Sequence, residues 1–328
     1  MLIDRLKKYF WMAVIPALLF VMFTVFADGF GTGSIYIILS QCMIPMAIGY
    51  GMCFLMSIGL MEMSAGAQVI LIAVIGSKLS LTYGIPGLFI GCMITGLVLG
   101  LVMGVAYTTL RIPSMVISLG MAMIFEVIAR WIAGFTANVI LEKTVSMVGK
   151  APYNFVFIAC AGVIFLLIFY KTPFGFHVKA VGNDELIAKS LGVDPDRTKF
   201  LCYCMAGFFF GIAGILQTCY AGQISVKLAL GSLDMVFKPM MGVMIGLELN
   251  RIYDNLLVNV FVGQLSMAII FNGLLALGLP STAQEISTGF FLLAVMLFSA
   301  NRERVGDAVR KAKIRRSGDR AVSKASNR

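Results

Sequence analysis

The chain has 328 residues, 59% of them hydrophobic and 13% charged, with a mean hydropathy of +0.93 and a formal net charge of +10. Soluble domains carry roughly 25% charged residues, so the composition excludes an ordinary globular enzyme and points to an all-α polytopic membrane protein. A single histidine, His177, and seven cysteines that all fall in apolar segments give no basis for a His-built metal centre, a catalytic triad or a disulfide framework.

A membrane-spanning helix needs about 20 mainly apolar residues. Ten such runs follow one another, at 11–27, 34–57, 64–82, 86–109, 114–135, 152–170, 200–221, 232–249, 255–278 and 284–300; the fifth and eighth carry charges. Lys7 and Lys8 precede the first run as they would in a secretory signal. The run continues through Phe26 without a small-x-small cleavage site, however, and so reads as an uncleaved span.

Basic residues set the orientation, because Lys and Arg favour cytoplasmic loops. With the N-terminus inside and ten alternating spans, 20 of the 26 Lys and Arg residues lie in the cytoplasm. Lys143, Lys150 and Lys227 fall outside, and Lys78, Arg130 and Lys238 lie within spans. Both termini are therefore expected in the cytoplasm. Residues 1–301 are expected to form the membrane domain. Residues 302–328 form a basic tail of disordered composition, drawn to anionic membrane lipids. Orientation accounts for the tail's charge, so no nucleic-acid partner is inferred.

The longest polar interruption is the cytoplasmic connection 171–199, which contains "KAVGNDELIAKSLGVDPDRTKF". Its middle predicts a short helix: Asn183 can cap it, Asp184 and Glu185 suit the first turn, and Gly192 is a C-terminal stop. Leu186, Ile187 and Leu191 give this helix an apolar side, with Lys189 elsewhere on it. Asp194 as N-cap and Pro195 at the first helical position then launch span seven. An apolar side on a loop helix either docks in a partner's groove or packs on the protein's own helix ends. No G-x-x-x-x-G-K-[ST] phosphate loop occurs, since the one Gly-Lys pair, Gly149-Lys150, is followed by Ala151. Transport by such a chain uses either an ion gradient or a separate ATPase.

Ionisable residues within spans are costly and usually face a bundle interior or pair with one another. Glu126 and Arg130 are four apart on span five, and Asp234 and Lys238 are four apart on span eight, each in the favourable acid-before-base order. They are read either as self-neutralising pairs or as lining for a polar solute route. Asn272, in span nine, is a further pathway candidate. Glu62 and Ser64 interrupt the apolar pattern at "GLMEMSAGAQ", read either as a discontinuous helix lining a cavity or as an ordinary turn capped by Ser64.

"AVGNDELIAKSLGVDPDRTKFLCYCMAGFFFGIAGIL", residues 180–216, resembles the cytoplasmic loop and following span of ribose-type sugar permeases of ATP-binding-cassette (ABC) importers. "GLMEMSAGA" at 59–67 is similar to that family's G-G-I-D-L-S-V-G segment, with Glu62, Ser64 and Gly66 at its Asp, Ser and Gly positions. "IPSMVISLGMAMIFEVIARWIAG" at 112–134 and "FNGLLALGLPSTAQEISTGFFLLAVML" at 271–297 resemble two further family stretches, in the same order. The resemblance implies a ten-span, type II importer permease that is not itself an enzyme and binds no cofactor directly. Its implied partners are a second permease subunit, an extracytoplasmic solute-binding protein and two cytoplasmic ATPase subunits that use the ATP. It also implies that the loop helix, from Asn183 through Asp184, Glu185, Leu186, Ile187, Lys189 and Leu191 to Gly192, couples ATP-driven motion to the membrane.

The chain departs from the family at Glu62, where members have Asp, and at "GLELNRIYDN", 246–255, which replaces a Gly-rich segment. A sugar is the expected solute, with a nucleoside as the alternative. An ion-coupled secondary transporter is a third reading, and a polytopic structural or enzymatic protein a fourth.

Overall fold

The computed structural model describes residues 16–26, 30–134, 138–140, 153–250 and 255–278, together with a few isolated positions. Most of the expected tenth span, the tail 302–328, and Lys143, Lys150 and Arg251 lie outside the described residues. The chain divides into two units, Met1–Glu285 and Ile286–Arg328, and the helical bundle is the first of them.

Ten α-helices are described: α1 (Pro16–Phe26), α2 (Thr32–Ser57), α3 (Ala65–Leu110), α4 (Ser114–Ile132), α5 (Tyr153–Lys171), α6 (Pro173–Asn183), α7 (Glu185–Ser190), α8 (Pro195–Ala221), α9 (Asp234–Asn250) and α10 (Leu256–Ala276). Six of the described helices are long and apolar enough to cross a membrane. A two-stranded antiparallel ribbon, β1 (Asn138–Ile140) and β2 (Gln223–Ser225), pairs Val139 with Ile224.

The 46 residues of α3 would reach about 69 Å at 1.5 Å per residue, more than twice the ~30 Å hydrocarbon core. The helix instead reverses at Gly84, whose φ of 65° and ψ of −149° suit a residue without a side chain. Its two limbs then pack on each other. A Cβ on Gly87 would stand 2.6 Å from the Leu79 carbonyl oxygen, and the Cys92 thiol reaches the Ile72 carbonyl at 3.7 Å. The two runs expected at 64–82 and 86–109 are these limbs.

Helix α8 lies at the centre and packs on both limbs of α3 and on α2, while α9 and α10 pack on each other and on α2. The α3–α8 seam is built from small residues, the usual means of bringing helices close where lipid removes the hydrophobic drive between them. A Cβ on Gly96 would lie 2.5 Å from the Gly207 carbonyl oxygen, and one on Gly100 would lie 2.6 Å from that of Tyr203. On the opposite side of α8 an aromatic cluster fills the core. Phe54 of α2, Phe165 of α5 and Phe209 of α8 have ring centroids 5.1 to 6.1 Å apart, and all three are fully buried.

The connection 172–194 holds two helices where the sequence predicts one. Pro173 at the first helical position starts α6, and a Cβ on its Gly182 would run into the Ser57 carbonyl, so α6 is seated on the end of α2. The cap of α7 is Asp184, which corrects the expectation of Asn183: Asp184 Oδ1 accepts the N–H groups of Leu186 at 2.8 Å and Ile187 at 3.0 Å. Asn183 is instead the last residue of α6. At the other end Gly192, with φ of 83°, closes α7; Val193 N donates to Ala188 O and Gly192 N to Lys189 O, the paired bonds of a Schellman motif. Asp194 caps α8 by accepting the N–H of Asp196 at 3.0 Å.

Candidate functional site

Three places gather the polar side chains that the sequence singles out. The first is a cavity of about 170 Å³ between α2, α8 and α9. At roughly 30 Å³ per water it has room for five or six waters, or a small solute. Gln41 of α2, Gln217 and Tyr220 of α8, and Asp234 and Lys238 of α9 line it, among apolar groups. Pro45 and Pro239 also form its wall. Each proline removes an amide donor from the interior of its helix and so leaves a backbone carbonyl without its usual partner. The freed carbonyls are those four residues earlier, of Gln41 and Met235, both cavity-lining residues; the carbonyl of Pro239 itself accepts Gln264 Nε2 at 2.7 Å.

Asp234 and Lys238 both face this cavity, but they do not pair with each other as their spacing predicts. Asp234 Oδ2 meets Lys227 Nζ at 3.2 Å, on the segment that precedes α9. The Lys238 ammonium lies 4.7 Å from the centre of the Phe271 ring on α10. Asn272, the next residue, donates from Nδ2 to Gln41 Oε1 at 3.0 Å and is thus one hydrogen bond from the cavity wall. Here Asp234, Lys238 and Asn272 are brought to one place. The lining offers two amides, a phenol, one acid and one base, a set that can satisfy several hydroxyls without demanding a charged ligand.

The second place is the junction of α4 with the segment 222–233. Glu126 is fully buried; its Oε2 accepts the N–H of Leu230 and its Oε1 that of Ser232, both at 2.9 Å. These donors open the 3₁₀ turn Gly231–Leu233 that runs directly into α9, where a carboxylate also complements the positive end of the helix dipole. Arg130 reaches the same segment, through Nη1 to the Val226 carbonyl at 3.4 Å. The expected Glu126–Arg130 pair is therefore a pair of tethers onto one segment. Tertiary donors and acceptors outcompete the neighbour one turn away.

The third is the break between α2 and α3. Residues 58–64 are non-helical, and Leu60, Glu62, Met63 and Ser64 are buried. Ser64 occupies the N-cap position of α3, but its side chain makes no capping bond to the helix backbone. Its hydroxyl and its N–H both donate to Glu62 Oε1, and Gln68 Nε2 donates to the Ser64 hydroxyl at 2.8 Å. Ser64 Oγ also lies 3.8 Å from Met103 Sδ, about two turns inside the Leu110 end of α3, so the break sits within the bundle. Irregular backbone at such a depth survives only when protein buries it. Gly66 packs against the Ser232 carbonyl, which sets this break beside the Glu126 tether. Glu62 and Ser64 are not among the residues that line the 170 Å³ cavity.

Outside these three places, α7 presents an apolar face to solvent. Leu186 is 80% exposed and Leu191 75%, with Ile187 also exposed, and Glu185 Oε1 pairs with Lys199 Nζ on α8 at 2.7 Å. Sequence reasoning missed Gln41, Gln217, Tyr220 and Lys199. The signal for the first two was available, as each is a lone amide in an otherwise apolar run. Among the described residues no group of three or more His, Cys, Asp or Glu side chains could hold a metal ion.

Residues 34–300 match the family model described as the permease component of the branched-chain amino acid transport system. The chain is 24% identical over 268 residues to the autoinducer 2 import system permease protein of Salmonella choleraesuis, covering 80% of this chain and 76% of that one. It is 25% identical over 296 residues to the protein of the same description from Yersinia pseudotuberculosis, covering 87% and 82%. It is also 28% identical over 156 residues to the xylose transport system permease protein of Haemophilus influenzae, covering 47% and 40%. No solved structure matches. The long apolar helices define a multi-pass membrane protein, and the match over residues 34–300 gives the narrower assignment: the chain belongs to the family of branched-chain amino acid-type transport permeases.

Proposed function

We propose that the chain is the permease subunit of an ABC importer that carries a small polar solute, a sugar, across the bacterial cytoplasmic membrane, with ATP hydrolysed by separate subunits. In this reading residues 1–301 form ten spans with both ends in the cytoplasm, and 302–328 are a basic tail at the inner membrane surface. Solute arrives from an extracytoplasmic binding protein, passes between this chain and a second permease subunit, and is moved by two ATPases docked on the cytoplasmic side. Relatives whose descriptions name autoinducer 2 and xylose support a sugar-like solute. The cavity of Gln41, Gln217, Tyr220, Asp234 and Lys238 has the donors and acceptors such a solute needs.

The observation that carries the reading is α7. A helix of six residues fixed at both ends by caps, with Leu186 on it and Leu191 directly after it each exposed by 75% or more, is an apolar knob that this chain does not bury. A groove on an ATPase would cover it. The experiment is uptake of radiolabelled xylose by cells that express the whole transport system with wild-type permease or with Leu186→Asp and Leu191→Asp together. Uptake should be lost in the double variant while the permease remains in the membrane at wild-type level. Normal uptake in that variant would overturn the reading.

A further inference from the structure

We propose that Lys199 is a positioning residue for energy coupling: its ion pair with Glu185 locks α7 to the base of α8, so that a push on α7 is delivered along α8 to Gln217 and Tyr220 at the cavity. The inference rests on the reading of α7 given above and adds to it the residue and the helix that carry the motion.

Glu185 opens α7 and Lys199 lies in the second turn of α8, fourteen positions apart in the chain. Between them run the α7 stop at Gly192 and the Asp194 cap, whose bonds each stay within one helix end, and α7 packs more on α6 than on α8, so a side-chain link across this turn adds a direct tie from α7 to α8. The Lys199–Glu185 contact of 2.7 Å closes that turn into a ring. Lys199 is only 12% exposed although Glu185 is 52% exposed, so the ammonium is held in place by its surroundings while the carboxylate is brought to it. With the Glu185 carboxylate half exposed, the pair adds only modestly to global stability. Its effect is orientational. The nearby Arg197–Asp194 contact lies within the first turn of α8 and joins nothing to α7.

From Lys199, α8 runs to its far end with no proline after Pro195. Gln217 is eighteen residues on, about 27 Å away along an α-helix, and both it and Tyr220 line the cavity with Asp234 and Lys238. One rigid element thus has an end at the docking knob and an end at the polar cavity. Motion of α7 relative to α8 would be absorbed in the turn at 191–194 if the pair were absent.

The test compares wild type, Lys199→Met, Lys199→Arg and the exchanged pair Glu185→Lys with Lys199→Glu, each expressed with the complete transport system. Two quantities are measured, ATP-driven uptake of labelled xylose and recovery of the ATPase with tagged permease. Lys199→Met keeps the apolar stem, so the ATPase should still be recovered through Leu186 and Leu191 while uptake falls about tenfold, within the ~5–150-fold span of typical coupling effects. Lys199→Arg and the exchanged pair should restore uptake to within about threefold of wild type. Uptake by Lys199→Met within twofold of wild type would overturn the proposal, and so would failure of the exchanged pair to exceed Lys199→Met. Wild-type uptake that survives ATP depletion and ends with the ion gradient would instead overturn the reading of the chain as an ABC permease, and this proposal with it.

Discussion

Glu126 Oε1 accepts the backbone N–H of Ser232 at 2.9 Å across 106 positions of sequence, and through that bond α4 holds the start of α9. The second carboxylate oxygen takes the N–H of Leu230, so one side chain fixes two donors, two residues apart, of one turn. Ala229 and Leu230 adopt φ of 56° and 64°, a region disfavoured for residues with a Cβ. A strained turn of this kind persists only where its surroundings hold it.

Replacing Glu126 with Ala should therefore release the turn. Two backbone donors lose their acceptor, and each buried unpaired group costs about 1–3 kcal/mol. We expect Glu126→Ala to lower the thermal unfolding midpoint in detergent by several degrees and to reduce uptake, because Asp234 and Lys238 follow directly on the released segment. Glu126→Gln retains the shape but turns one acceptor into a donor, and should fall between Ala and wild type.

The α3–α8 seam gives a prediction about packing. A Cβ at position 207 would meet the Gly96 carbonyl and lie 2.7 Å from the Gly100 Cα, both backbone atoms that cannot step aside. Gly207→Val should destabilise the protein by about 1–3 kcal/mol or more through overpacking. Gly120→Ala is the control, since a Cβ there meets nothing within 4 Å; it should be neutral or slightly stabilising. Thermal unfolding of the two variants in the same detergent is the measurement.

Much of this was legible in the sequence. Long apolar runs announced α2, α5 and α10, the Asp194-Pro195 start announced α8, and the positive φ that Gly192 supplies to end α7 was readable from a glycine after a periodic stretch. Partners of polar side chains were not. Spacing of four places Glu126 and Arg130 on one helix face, yet says nothing about backbone donors 104 and 106 positions away. The same limit applies to Asp234, whose partner Lys227 sits on the preceding loop, and to Asp184, which displaced Asn183 as the cap because α6 continues through Asn183. Helix α6 itself was signalled by Thr172-Pro173, a start motif overshadowed by the more polar stretch after it.

Gly192 also yields a test of how rigid α7 must be. An alanine there must hold a left-handed conformation that costs roughly 1–2 kcal/mol, and the Val193-to-Ala188 bond depends on that conformation. Gly192→Ala should speed amide hydrogen exchange across 185–193 and lower coupled uptake, with the spans unaffected.

Lys238 lines the cavity proposed to hold solute, and its ammonium rests on the Phe271 ring. A half-buried cation–π contact is worth roughly 0.5–2 kcal/mol, so Lys238→Met should unfold within a few degrees of wild type. Its uptake should show a weaker apparent affinity for solute, read from the concentration dependence of transport. Wild-type affinity in Lys238→Met would remove this residue from the pathway.

The most direct test of the proposed function is the energy source of uptake. Labelled xylose uptake is measured in cells that carry the complete system, once after ATP is depleted with the ion gradient preserved and once after the gradient is collapsed with ATP preserved. An ABC permease predicts that uptake stops in the first condition and continues in the second. Uptake that survives loss of ATP and ends with the ion gradient would contradict it.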